Sequence, residues 1–302
     1  MDRIVSFPFW SAAADRCDSS LRQTGRLCLL GLCLAPALAA GRQAAGPIAL
    51  RLKLKPGQVF RYQTTARLRT TMQAIGLPGP PAAARTFTSS DRSVVQMKVI
   101  RTRPDGDTEL TATTLSDQRT NDGKSEEVPP EKTPDATLTY SATGALVALK
   151  NRSPSSDPIA ATVKHALAAL EAASELLPAQ PVRPGDSWNQ TARIAALPGI
   201  GPVTVQTRFV KLTTISRFRT ALLHSEVTVS LGTPSARNGE GVQEGGTARG
   251  TFDHFFAPAE GRSVRNIGTG SLAFTALTKT PKGHPVKVQV KMIVDLTKDL
   301  LK

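Results

Sequence analysis

Residues 286–297 read Val-Lys-Val-Gln-Val-Lys-Met-Ile-Val-Asp-Leu-Thr. Val286, Val288, Val290, Met292, Val294 and Leu296 alternate with Lys287, Gln289, Lys291, Ile293, Asp295 and Thr297. Successive side chains of a strand point to opposite faces, so this spacing predicts a long strand with one apolar and one mainly polar face. Such strands belong to antiparallel sheets packed on one side and wet on the other. The same period runs far upstream. Phe60, Tyr62, Thr64, Ala66, Leu68 and Met72 share one face, with Arg61, Gln63, Arg67 and Arg69 on the other. Further strands are expected at Thr86–Arg101, Thr108–Ser116, Val203–Ser216, Ala221–Leu231, Thr247–Phe256 and Ser271–Thr278. Pro104-Asp105-Gly106, Asn121-Asp122-Gly123 and Asn238-Gly239 supply turn chemistry. Ala74–Ala84, Ser125–Pro134 and Thr233–Gly246 are rich in Gly, Pro, Ala or charge and read as surface loops.

The strands fall into two runs with similar beginnings. Lys55-Pro56-Gly57-Gln58-Val59-Phe60 opens one, and Arg183-Pro184-Gly185-Asp186-Ser187-Trp188 opens the other. Pro presets φ and Gly accepts a positive φ, so each opener predicts a tight turn. The aromatic that follows is the first large inward residue of the next strand. Leu77-Pro78-Gly79 follows the first opener and Leu197-Pro198-Gly199 the second. Later come an aromatic, a glycine turn and a return strand: Tyr140, Gly144 and Val147, then Phe256, Gly261 and Val264.

A helix is expected between the runs. Asp157 suits the N-cap and Pro158 the first helical position. Ile159, Val163, Leu167, Leu170, Ser174 and Leu177 recur at three- and four-residue spacing, and Pro178 stops the run. The expected fold is therefore mainly β. Two related antiparallel β halves, 48–153 and 180–302, form a sandwich or open half-barrel and are joined by one amphipathic helix within 154–179.

The first 40 residues read differently. Arg22 and Arg26 precede a 14-residue apolar run from Leu27 to Ala40, which ends in the small-residue site Ala37-Leu38-Ala39. That is the pattern of a cleavable secretory signal peptide over 1–40, cut near Ala39 or Ala40. The run is shorter than the ~20 residues a spanning helix needs, which disfavours an uncleaved anchor. The stretch before Arg22 is long for an n-region, so a start downstream of Met1 is also compatible. Leu27 and Leu32 precede Cys28 and Cys33, where a lipobox needs a small residue. The expected location is exported, either periplasmic or extracellular. Cys17, Cys28 and Cys33 are the chain's three cysteines, and all lie in the segment to be removed. The mature chain would then have no disulfide, no thiol nucleophile and no cysteine-held metal.

The chain carries 38 Lys and Arg against 24 Asp and Glu, a net +14. That balance favours anionic partners such as membrane surfaces or acidic envelope polymers. Nucleic acid is not expected. Aromatics are only 5%, too few for stacking platforms, and no compact basic run occurs.

No catalytic, cofactor-binding or metal-ligating residue is assigned from the sequence, and no cofactor is implied. His165, His224, His254 and His284 stand in no metal-binding spacing, and the bland reading of each is a structural histidine. His254, beside Asp253 and alternating with Phe252 and Phe256, is expected half-buried in a strand. Gly239, Gly241, Gly245 and Gly246 lead into a strand, whereas a phosphate cradle leads into a helix. Glu126, Glu127 and Glu131 form an acidic loop without calcium-site spacing. Sequons at Asn151 and Asn189 are short enough to arise by chance.

With these motifs in view, the mature chain resembles a family of uncharacterised exported bacterial β-rich proteins. That family pairs a signal peptide with two halves, each opened by a K-P-G-D-x-W/F-like turn, and ends in a long alternating strand. Leu52–Met72, Pro184–Trp188 and Gly250–Lys302 carry the likeness, while Gln58 and Phe60 depart from the pattern that Asp186 and Trp188 keep. The resemblance brings no functional residues with it. More distantly, the pattern is similar to the open half-barrels of bacterial lipid and lipoprotein carriers. The leading expectation is a non-enzymatic envelope protein holding an apolar or amphiphilic ligand, such as a lipid, in a concave β surface. A structural or adhesive module on anionic envelope polymers is the alternative. An exported hydrolase with a dispersed site is the third reading, and it needs a cleft joining His254 or His224 to carboxylates. The sequence assigns no oligomeric state.

Overall fold

The computed structural model describes residues 46–75, 83–129, 136–151, 158–194, 197, 199–232, 243–279 and 285–301. The expected signal segment, Asp157, Pro198, the Asn238-Gly239 turn, His284 and parts of the three expected loops lie outside them. The described strands are β1 (Val59–Ile75), β2 (Arg85–Thr102), β3 (Thr108–Asn121), β4 (Lys124–Val128), β5 (Ala136–Tyr140) and β6 (Leu146–Asn151), then β7 (Ser187–Arg193), β8 (Ile200–Ile215), β9 (Phe218–Leu231), β10 (Gln243–Ala257), β11 (Arg262–Lys279) and β12 (Pro285–Leu300). The described helix, α1 (Pro158–Ser174), falls between β6 and β7.

The fold is mainly β and antiparallel, with one helix. Of the two forms expected, it is the open one: a single 12-stranded sheet in the order β6-β5-β3-β2-β1-β12-β11-β10-β9-β8-β7, with β4 hanging on β3. It is not a sandwich, and β6 and β7 remain at its two edges. The last strand sits in the middle, pairing with β1 from Tyr62–Leu300 to Ile75–Lys287 and with β11 on its other side.

The two openers make the same turn. Gly57 N–H donates to Val99 O at 2.9 Å, and Gly185 N–H donates to Phe209 O at 2.7 Å. Gln58 N–H returns to Lys55 O and Asp186 N–H to Arg183 O, both at 3.0 Å. The Gln58 side chain accepts from Lys55 N–H, and the Asp186 side chain from Arg183 N–H. Both glycines have positive φ, 80° and 100°, which explains why neither carries a side chain. A bulge follows each anchor, between Val99 and Arg101 and between Phe209 and Lys211.

Several expected boundaries move. Ser125–Val128 is not loop but part of β4, paired to the end of β3 across the Asp122-Gly123 turn. Its Lys124, Ser125, Glu126 and Glu127 are all exposed, so a charged strand of this kind carries no alternation to read. Ala74 and Ile75 continue β1, and Gly245 and Gly246 lie within β10. β11 begins at Arg262, nine residues before Ser271 where the expected strand starts, because Gly268 and Gly270 interrupt the apolar pattern. The helix ends at Ser174. Leu177 leaves it, donates its N–H to Thr143 O and packs in a small core with Leu50, Val182, Phe209 and Phe256.

The main core lies between α1 and the sheet's inner face. Val163, Ala166, Leu167, Ala169, Leu170 and Ala173 meet Val203, Val205, Val227, Val229, Phe252 and Leu272. The alanines let the helix axis come close to the strands. Gly270 does the same from below: a Cβ there would stand 3.3 Å from Leu170 Cδ1. The Phe252 ring lies over Gly268, where an added Cβ would come within 2.1 Å of it. α1 lies over β8, β9, β10 and β11. On the strands beyond, Leu68, Met72, Val288 and Leu300 are only partly buried. One end of the sheet is tied by the segment before β1, through the Ile48–Val182 bridge, Leu52 N–H to Ala142 O and Lys53 N–H to Gly261 O. No described helix is long and apolar enough to cross a membrane.

Candidate functional site

Strand alternation places Lys298, Asn266 and His254 on one row of the inner face, on β12, β11 and β10. The C-terminal turn of α1 lies across that row. Lys298 Nζ meets Glu175 Oε1 at 2.8 Å and Glu171 Oε1 at 3.0 Å. Asn266 Nδ2 donates to Ser174 Oγ at 2.9 Å, and that hydroxyl donates to Glu171 O. Lys298 also stands 5.0 Å from the centre of the Tyr62 ring, and the Tyr62 hydroxyl donates to Ser263 O at 2.8 Å. A buried cation is held by two carboxylates and an aromatic face.

The electrostatics follow from burial and that sharing. Burial disfavours the ammonium, yet the two carboxylates outweigh it and hold Lys298 charged, well above its ordinary pKa. Burial raises Glu171, and neither Lys298 nor its other contacts bring it back. Burial also acts on Glu175, but Lys298 wins there and its pKa is lowered. His254 is pushed down to about 4, first by desolvation, so its ring is neutral at ordinary pH. It is buried in full, not half-buried as alternation alone implies.

A cavity of about 50 Å³ opens beside this centre. Leu54, Phe60, Met97 and Leu110 form its apolar wall, and Tyr62, Glu175, His254, Arg262, Ser263 and Lys298 its polar one. His254 and Glu175 thus share a wall, the juxtaposition a hydrolytic site needs. No hydrogen bond joins them, however, and both His254 ring nitrogens are unpartnered among the described residues. An imidazole acting as a base is held by a carboxylate on its far nitrogen, and this one is not. His224 does meet a carboxylate, Asp253 Oδ1 at 2.8 Å, but on the outer face, where the side chains are 45% and 50% exposed. His165 is part of α1. Among the described residues no three His, Cys, Asp or Glu side chains gather as a metal site.

A second polar cluster sits on the inner face of β2 and β3. Arg119 Nε on β3 donates to Asp91 Oδ1 on β2 at 3.0 Å, and Arg119 Nη2 lies 3.9 Å from Asp117 Oδ2. Burial raises Asp91 to about 6 and also raises Asp117, with Arg119 pulling both back. Asp117's carboxylate and the Ser93 hydroxyl, register partners across the two strands, are buried without hydrogen-bond partners among the described residues.

Neither cluster is visible to motif reading, because each assembles from separate strands. The usable signal was a break in pattern: continuing the alternation past Leu296 puts a lysine, Lys298, inside. Glu171 and Glu175 follow Leu167 at helical spacing and so face the same sheet.

No family model and no curated protein sequence matches the chain. Among solved structures, one titled for lipid–protein interactions in lipovitellin is 11% identical, with a TM-score of 0.41. The match covers 83% of this chain and 26% of that one, so the chain spans about a quarter of lipovitellin's length. A mutant Rh. blastica porin is 9% identical at a TM-score of 0.18, covering 81% of this chain and all of the porin. Likenesses at these scores carry no argument about function.

Proposed function

We propose that this is a non-enzymatic protein of the exported envelope compartment that holds an apolar or amphiphilic molecule against the inner face of its open sheet. The observation that carries the reading is the incomplete roof. α1 covers β8 to β11, and although most apolar inner residues of β1 and β12 are buried, Leu68, Met72, Val288 and Leu300 stay half-buried. A monomer that needed only stability would close its apolar face or its sheet edges. The helix is fastened at its C-terminal end by the Lys298 clamp. Native mass spectrometry of the chain purified without detergent from a bacterial host is expected to show adducts of lipid mass. An unadducted chain that also fails to take up lipid from vesicles contradicts the reading.

One observation favours a second reading. Arg61, Arg67, Arg69, Lys98, Arg208, Arg249, Lys287 and Lys291 are all exposed and all point outward from the strands. A basic outer face of this extent suits an anionic envelope polymer or membrane surface. Retention on anionic vesicles that falls steeply with salt supports it, since screening weakens exposed charge contacts.

A further inference from the structure

The cavity beside His254 is bordered by more unsatisfied polar atoms than a packed core tolerates. His254 Nδ1 and Nε2, Arg262 Nε and Ser263 Oγ are all buried and without hydrogen-bond partners among the described residues. Buried polar groups are normally paired, so four orphans on one wall mark a place where something polar belongs. Their chemistry defines that something. A neutral imidazole offers one donor and one acceptor, the serine hydroxyl offers both, and Arg262 Nε–H is a donor. The occupant must therefore both donate and accept.

Charge narrows it further. Lys298 and Arg262 are the cations on this wall, and Glu175 with Glu171 behind it are the carboxylates. Two of each sign cancel. Tyr62 and Tyr140 add no charge, because burial raises both phenols. An anionic or cationic head brought here would be left uncompensated in a low-dielectric pocket. Size is permissive: about 50 Å³ exceeds the space one water needs. The facing wall of Leu54, Phe60, Met97 and Leu110 is apolar.

We infer that this cavity seats the uncharged, hydroxyl-bearing head of an amphiphile, with His254 and Ser263 reading the hydroxyl and the leucine-rich wall taking the start of its chain. This rests on the amphiphile-holding reading above and adds the head chemistry to it.

The test uses the full chain with ¹⁵N-labelled histidine at pH 8, titrated with 1-octanol, octanoate and octyltrimethylammonium, three heads on one chain length. The expected result is saturable binding of 1-octanol that shifts the His254 ring nitrogens, with the two charged heads at least tenfold weaker. Ser263→Ala and His254→Leu are each expected to weaken 1-octanol at least tenfold. The serine variant keeps the test alive if the histidine variant does not fold. Equal binding of all three heads, or 1-octanol binding that leaves the His254 signals in place, overturns the inference. If that happens while lipid adducts persist in native mass spectrometry, the head site is wrong and the carrier reading stands. If 1-octanol shifts His254 but no long-chain adduct is ever found, the head site stands and the carrier reading falls.

Discussion

Lys298 on the last strand reaches Glu171 on a helix and Glu175 just past its end, 123 residues earlier, whereas Arg119 reaches a carboxylate only 28 residues away on the adjacent strand. Both are cations buried between two carboxylates on the inner face of one sheet. They differ in what they join. The Lys298 cluster links three strands to α1, with its ammonium bonded on both sides. The Arg119 cluster links β2 to β3, which backbone pairing already holds, and it leaves Asp117 and Ser93 unsatisfied. A polar cluster between distant elements fixes an arrangement that hydrogen-bonded backbone cannot. One within a ladder adds little to the fold and carries the cost of burial.

The largest expected effect is at the distant cluster. Lys298→Met leaves two carboxylates buried without their cation and is expected to cost about 3–5 kcal/mol in urea unfolding. Adding Glu171→Leu and Glu175→Gln should recover most of that loss, because the charges go together. Arg119→Met is expected to cost less, about 1–3 kcal/mol, since Asp91 and Asp117 are already raised and can take up protons. A larger loss for Arg119→Met than for Lys298→Met reverses the comparison.

The pH dependence sets the two regions against each other. Asp91 has a folded pKa raised from 3.8 to about 6. Its contribution is full below about pH 4 and lost as pH rises through about 6. His254 has a folded pKa lowered from 6.5 to about 4. Its contribution is full above pH 6.5 and lost as pH falls through about 4. Each arm is on the order of 3 kcal/mol, and they oppose one another over nearly the same window. Asp91→Asn is expected to make stability rise with pH between 4 and 6.5, and His254→Leu to make it fall, each more steeply than the unaltered chain. Parallel profiles for all three would show that neither group titrates as its burial implies. The smallest effect belongs to the outer face. His224→Ala removes a hydrogen-bonded contact with Asp253 that is half open to water and is expected to change stability by less than about 0.5 kcal/mol.

The same contrast explains what the sequence could reveal. Alternation from Val286 to Leu296 and from Phe60 to Leu68 named the inner face correctly, because the inner residues there are apolar. The two Pro-Gly openers were readable because a tight turn restricts which residues fit. Strand order was not readable. Nothing local says that β12 inserts beside β1 and not at an edge, since both neighbours present the same alternating ladder. β4 was missed because none of Lys124 to Glu127 is buried. The Lys298 centre was missed because its parts come from three strands and a helix, and a lone lysine ending a strand looks solvated. Only its register, two residues past Leu296, places it inside.

The account depends most on the Lys298 clamp, which joins β12 to the C-terminal end of α1 and fixes how the helix lies on the sheet. Hydrogen exchange read by mass spectrometry, comparing Lys298→Met with the unaltered chain at pH 7, tests this directly. Faster exchange confined to residues 162–174, with β2, β3 and β9 still protected, is the result expected. Unchanged protection of α1, or loss of protection spread evenly through helix and sheet, contradicts it.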